Sequence, residues 1–228
     1  MKTPRTLKLA LLMASLVAGP ALLAAGGWAD AAPAARANVA LGSESVLWLE
    51  GTSNVHDFES RTQTLTFTLT CDGAATDPTD AAGLDQLIRA NNVRGLDLEI
   101  PLATMRSGKP GLDKNMLKAL RADANPNIKF HLARYTLGAA VADTTPVTAE
   151  GTLSIAGKER PVTVVGRLVH TAKGEWLEGS HALLMTQYDV KPPTMMLGAL
   201  RVNDKILVRY RLLLTAGNGV SGTAVSSN

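Results

Sequence analysis

The run Thr64-Leu65-Thr66-Phe67-Thr68-Leu69-Thr70 sets an apolar residue at every second position and a threonine between each pair. Strand side chains point to opposite faces in turn, so this run spells one dry face and one wet face. The same alternation returns along most of the chain. Eight extended segments follow from it: Glu44 to Thr52, Arg61 to Cys71, Val93 to Ala103, Asn127 to Leu137, Val147 to Ile155, Pro161 to His170, Glu175 to Val190 and Asp204 to Thr215. In the fourth, Ile128, Phe130 and Leu132 are in phase but Tyr135 and Leu137 are not, which predicts a β-bulge near Ala133 or Arg134. A tight turn at Gly157-Lys158 predicts a hairpin between the fifth and sixth.

Helical signals are few. Leu112 to Ala122 carries an apolar stripe of Leu112, Met116, Leu117 and Leu120, with Asp113 as the expected cap and Asn125-Pro126 as the stop. Gly83 to Asn91 reads as a short helix or an irregular loop. Pro192 to Gly198 cannot be a central strand, because proline lacks the amide donor, and reads as a greasy loop or helical turn at a rim. Regular strands with hairpin turns predict an antiparallel sandwich or barrel. The outward Thr, Glu, Lys and Arg positions suit water and argue against an outer-membrane barrel, whose outer face must be apolar. A barrel of about eight strands can fill itself with side chains or hold one small ligand.

The first residues have the form of a secretory leader. Lys2, Arg5 and Lys8 precede an apolar stretch from Leu9 to Val17, and Ala29-Asp30-Ala31 and Ala35-Arg36-Ala37 are candidate cleavage sites. Gly19 and Pro20 break the apolar run, which is short for a membrane span. A cut after Ala37 removes Lys2, Arg5, Lys8 and Arg36 against Asp30, so the formal +3 falls to about zero. The basic balance therefore belongs to the leader and gives no support to a nucleic-acid partner. The expected division is a leader and linker over 1–37, a barrel over 38–216 and a disordered Gly/Ser-rich tail over 217–228, in a periplasmic or secreted protein with no stable membrane span after cleavage. Cys71 continues the Leu65, Phe67, Leu69 face and reads as a buried, inert thiol.

The dry faces are aliphatic, with aromatics at only 4% against 46% hydrophobic residues overall. By phase, the inward positions are Phe67, Leu69, Leu98, Ile100, Phe130, Leu153, Val164, Leu184, Tyr210 and Leu212. Phase alone does not say whether those faces enclose space. His56 and Asp57 either meet a ligand head group at a mouth or fix the turn after the first strand. His181 shares a face with Leu177, Leu183 and Met185, where it needs a polar partner from the protein or a ligand. Met195 and Met196, with the 112–122 helix, are the candidate greasy lids, and Lys109, Lys114, Lys118 and Arg121 cluster near one of them as a head-group contact or a solvated face. No catalytic group, metal or cofactor is expected. The four histidines are scattered, and no Gly-x-Ser-x-Gly elbow accompanies His56.

Several stretches carry a family resemblance. Ser45-Val-Leu-Trp48-Leu-Glu-Gly51-Thr-Ser53-Asn-Val-His56-Asp57-Phe58 resembles the opening of YceI-like proteins. Leu98-Glu-Ile-Pro101-Leu102, Ser107-Gly108-Lys, Leu112-Asp113-Lys114-Asn-Met116 and Asn125-Pro126-Asn-Ile128-Lys-Phe130 are similar to that family's middle stretch. Gly151-Thr-Leu153-Ser-Ile155-Ala-Gly157-Lys-Glu-Arg160-Pro161-Val162 and Tyr188-Asp-Val-Lys191-Pro192-Pro193 extend the match, which runs from about Ser45 to Leu214. The resemblance implies an all-β, extended, eight-stranded antiparallel lipocalin-like barrel with one or two short helices near the rim. It implies a long hydrophobic cavity for a polyisoprenoid or other amphiphilic lipid, and no settled catalytic residues. Asp72 to Asn92 departs from the family pattern. The function expected is non-covalent carriage of an isoprenoid or fatty lipid. The alternatives are a structural or stress-response partner with a filled barrel and, less favoured, a hydrolase. The barrel edges or the methionine loop leave a homodimer open.

Overall fold

A computed structural model describes residues 34–72, 77–195 and 199–217. The leader, Met196 and the tail beyond Gly217 lie outside those residues. Within them the chain forms one antiparallel sheet of twelve strands and two short helices. The strands are β1 (Ala34–Ala37), β2 (Val39–Leu41), β3 (Val46–Ser53), β4 (Asp57–Thr62), β5 (Thr66–Asp72), β6 (Val93–Pro101), β7 (Asn127–Leu137), β8 (Thr144–Ile155), β9 (Lys158–Thr171), β10 (Gly174–Leu184), β11 (Thr194–Met195) and β12 (Leu200–Ala216). The helices are α1 (Ala81–Arg89) and α2 (Pro110–Ala119), and short 3-10 turns follow β6 and β10.

The opening alternation is realised residue by residue. Leu65, Phe67, Leu69 and Cys71 are buried while the intervening threonines are not. The segment Arg61 to Cys71 is nevertheless two strands. Thr62 Oγ1 accepts from the Thr64 amide at 3.0 Å and lies 2.7 Å from Thr104 Oγ1, so a threonine turn makes the corner between β4 and β5. The bulge falls at Ala133, where β7 slips against β8 between Leu132 and Arg134. The β8–β9 hairpin turns one residue earlier than expected. Ile155 pairs with Lys158, and Ala156 and Gly157 both take positive φ (51° and 81°), the two-residue turn whose twist matches the strands.

The sheet runs β1-β5-β6-β7-β8-β9-β10-β12-β3-β4 and curls so that β4 returns toward β5. No ladder joins those two strands. One end of the seam is crossed by the N-terminal chain, which pairs with β5 as β1 and with β12 as β2. At the other end Arg61 and Arg106 exchange two backbone hydrogen bonds of 2.9 Å. Ala34–Ala37 thus pair into the barrel, ahead of the expected boundary at 38. A cut after Ala37 would remove β1, whereas a cut after Ala31 would leave the seam intact. The alternation missed β1 and β2 because segments of four and three residues are too short to show a period.

Outward positions form cross-strand ion pairs: Arg94 with Asp72, Lys129 with Glu99, Arg134 with Glu150, and Arg167 and Arg211 with Glu178. Each exposed pair contributes little stability, but together they make the wall compatible with water. No helix among the described residues is long and apolar enough to cross a membrane.

The helices close opposite ends. Asp80 caps α1 by accepting from the Gly83 amide at 2.8 Å, and Leu84, Leu87 and Ile88 are buried in the barrel mouth. Tyr135 donates to the Ile88 carbonyl (2.7 Å) and Arg89 to Thr145 Oγ1 (3.1 Å), which fixes the plug to β7 and β8. Helix α2 buries no residue completely. Pro110 starts it, and Asp113 does not cap it; the Asp113 carboxylate instead accepts from the Ser107 amide (2.8 Å) and hydroxyl (2.5 Å). The α1 end is therefore tightly packed and the α2 end lightly seated.

Beside α1, Glu175 is 1% exposed and accepts from His170 Nδ1 at 2.5 Å. Burial pushes the Glu175 carboxyl above its ordinary range against the pull of His170, and the hydrogen bond to Glu175 raises His170. Asp85 raises both and Arg89 lowers both, so burial of the glutamate sets the balance. Both groups hold protons more tightly folded than unfolded, so raising the pH removes stability. Glu175 contributes most below its unfolded value near 4.5 and His170 below 6.5, and each contribution fades as pH climbs through the raised folded value. Between about pH 5 and pH 8 these two groups pull the thermal midpoint down while His181, lowered by burial, pulls it up in both proteins, so the wild type is expected to lose stability relative to Glu175→Gln as pH rises. Parallel pH profiles for the two proteins would contradict this.

Candidate functional site

The barrel encloses a cavity of about 190 Å³. Its wall is hydrocarbon from every side: Leu69 from β5, Leu98 and Ile100 from β6, Phe130 from β7, Leu153 from β8, Val164 from β9, and Tyr210 and Leu212 from β12. Tyr135, His181 and Tyr210 bring the polar atoms among its lining side chains. Tyr135 spends its hydroxyl on the Ile88 carbonyl. Burial lowers the His181 pKa below the ordinary histidine range, and burial pushes Tyr210 up to about 12, so both favour neutral forms. A filled barrel would leave room for no more than a few waters. For scale, an apolar cavity of about 150 Å³ stays dry and takes benzene.

A second cavity of about 110 Å³ lies beneath α2. Leu49, Ile128, Ile155, Leu183 and Val208 line both cavities, so these five aliphatic side chains form the partition between two adjoining chambers. On the α2 side Leu112, Met116, Ala119 and Leu120 form the roof.

Glycines keep the lumen open by letting aromatic rings lie flat on the wall. Tyr210 is paired with Gly179, which is paired with Gly166. A Cβ on Gly179 would sit 2.3 Å from the Tyr210 hydroxyl oxygen, and one on Gly166 2.8 Å from it. Phe58 covers its cross-strand partner Gly51 in the same way, and Phe130 covers Gly151.

Two of the expected inward residues are placed elsewhere. Phe67 is buried in the core but lines neither cavity. Leu184 is 40% exposed, because β10 turns its odd positions inward, Leu177, His181 and Leu183 among them. The reading of His181 with Leu177 and Leu183 on one face fits this parity; Leu184 does not. The rim residues also separate. His56 and Asp57 are exposed and line neither chamber. Their turn is held by Ser53, whose hydroxyl accepts from the Val55 and His56 amides (3.2 and 3.1 Å) and donates to the His56 carbonyl (2.7 Å). That hydroxyl is therefore turned to the backbone, and Asp57 is not the turn's anchor. Lys109, Lys114 and Lys118 are exposed and line neither chamber, and Arg121 donates to the Ala156 carbonyl at 2.6 Å. The Met195 backbone pairs with Leu200.

Cys71 is buried, and burial pushes its thiol up, as for an inert side chain. Asp85, His170 and Glu175 bring their ligating atoms within 4.8 Å of one another. These donors are already paired, Glu175 with His170 and Asp85 with Arg89 at 2.6 Å, and they tie α1 to the barrel. Alternation gave no sign of Ser60, a 2% exposed hydroxyl on β4 that lines the second chamber. Ile128 of the partition is in phase in the sequence, but only closure of the barrel brings it together with Leu49 and Val208.

This architecture defines a class: a lipocalin-like antiparallel barrel with a charged outer wall and an apolar interior chamber. The YceI-like domain family model matches residues 42–213, and the chain belongs to that family. Among solved structures, a polyisoprenoid-binding domain from Saccharophagus degradans implicated in plant cell wall breakdown aligns with a TM-score of 0.57 at 14% identity, covering 79% of this chain and 99% of that one. BcnA from Burkholderia cenocepacia aligns with a TM-score of 0.55 at 14% identity, covering 75% of this chain and 95% of that one. At that identity the likeness is one of fold. A search of curated protein sequences gave no match.

Proposed function

We propose that this protein binds a long-chain isoprenoid or similar amphiphilic lipid non-covalently in its two-chambered interior and carries it as an exported protein. The observation that carries the reading is the hydrocarbon lining of the larger chamber, which meets the second chamber across the shared aliphatic residues. Such a lumen offers a flexible chain dispersion contacts and escape from water, and offers a small polar solute almost nothing. Burial contributes roughly 0.8 kcal/mol per CH₂. A ten-carbon stretch thus gains about 8 kcal/mol gross, from which the costs of association and chain ordering are subtracted. A preformed tunnel keeps those costs low on the protein's side. The fold shared with the polyisoprenoid-binding domain from Saccharophagus degradans and the basic, apolar leader support the ligand class and the export route respectively. Processing after Ala31 is the cut consistent with a complete barrel.

The test is mass spectrometry of an organic extract of the protein purified from several expression hosts without added ligand. A prenyl or fatty lipid at near-stoichiometric amount is expected. Extracts without lipid from every host would count against the reading.

A further inference from the structure

Ser60 is a polar group that the fold does not explain. Its side chain is 2% exposed, and its Oγ finds no hydrogen-bond partner among the described residues. Buried hydroxyls are normally paired, and an unpaired one destabilises the fold. Thr62, two residues along the same strand, is also buried but satisfied by Thr64 and Thr104. Ser60 instead lines the chamber beneath α2, and its cross-strand partner Leu49 stands in the partition between the chambers.

The chemistry around it narrows the ligand. Ser107, Asp113 and Asn115 line the same chamber, so this end of the interior is its polar end. Among the described lining residues Asp113 carries the one formal charge, and its carboxylate is engaged by Ser107. Among the described residues no lysine, arginine or histidine lines that chamber. A phosphate or carboxylate seated there would be an anion out of water, beside another anion, with no cation to compensate it. A neutral oxygen meets no such cost, and a serine hydroxyl can both donate to it and accept from it.

We propose that the α2-side chamber seats an uncharged, hydrogen-bonding oxygen group of the lipid, an alcohol or carbonyl, on Ser60 Oγ, with the chain running past the partition into the larger chamber. This rests on the lipid-binding reading and fixes the ligand's polarity and direction. The lysines outside α2 play no part in it.

The experiment compares three probes that share a branched twenty-carbon skeleton: phytane, geranylgeraniol and geranylgeranyl phosphate. Each displaces an apolar dye from the wild type and from Ser60→Ala. The alcohol is expected to bind the wild type more tightly than the hydrocarbon or the phosphate. Ser60→Ala should weaken the alcohol about fivefold to tenfold, the value of one hydrogen bond, and leave phytane unchanged. Without ligand, Ser60→Ala should melt at the wild-type temperature or above, since no protein hydrogen bond is lost. A phosphate that binds as well as the alcohol would overturn the proposal. So would an alcohol insensitive to the substitution, as expected if the hydroxyl holds only water, or a clear loss of stability in ligand-free Ser60→Ala. Failure of all three probes to bind the wild type would instead remove the lipid-binding reading, and this seat with it.

Discussion

Ala149→Phe is expected to abolish lipid binding while leaving the barrel folded. Ala149 lies on β8 between Tyr135 and Val164 and lines the larger chamber. A phenyl ring projected from it occupies space of the size that benzene fills in apolar cavities. The ring would take the volume in which the chain must lie, so affinity should fall at least ~100-fold, equivalent to about 2.7 kcal/mol. Stability should change little or rise, because filling a cavity commonly adds about 0.5–2 kcal/mol. Dye displacement and thermal melting read the two effects separately. Unaltered affinity in a folded Ala149→Phe protein would place the ligand outside this chamber.

Gly179→Val should lose both stability and binding, for a different reason. The new side chain starts 2.3 Å from the Tyr210 oxygen and 2.7 Å from Cζ, closer than any real contact, so the ring must leave the wall. Its one open direction is the lumen, where it obstructs the chain. Overpacking of this kind costs about 1–3 kcal/mol. Adding Tyr210→Ala removes the obstruction, so the double variant should recover at least about 1 kcal/mol relative to the sum of the two single changes. Strict additivity of the two substitutions would show that ring and glycine are not coupled.

Much of the architecture was legible because the alternation carries it. Leu65 just before β5, Phe67, Leu69 and Cys71 on β5, and Leu98 and Ile100 on β6 are buried as their spacing requires. The loss of phase after Leu132 marks a real bulge. Where the reading failed, the deciding facts were non-local. Leu184 is apolar and next to an inward residue, but strand parity at the end of β10 turns it to solvent. Asp113 reads as the helix cap, but α2 starts earlier, at Pro110, so Asp113 falls inside the first turn and accepts from Ser107 of the preceding loop. The seam depends on Ala34 to Leu41 pairing with strands far along the chain. Ser60 was invisible for a related reason: a serine between Glu59 and Arg61 reads as part of a polar stretch until closure places it under α2.

The central claim is that the interior is a lipid site and not an incidental void. Native mass spectrometry of the protein purified without added lipid, run beside Ala149→Phe prepared in the same way, tests it most directly. The wild type should carry one lipid per chain, in a mass series set by the expression host, and the variant should appear at its bare mass. A wild-type protein at bare mass from every host, or equal lipid adducts on both proteins, would contradict the claim.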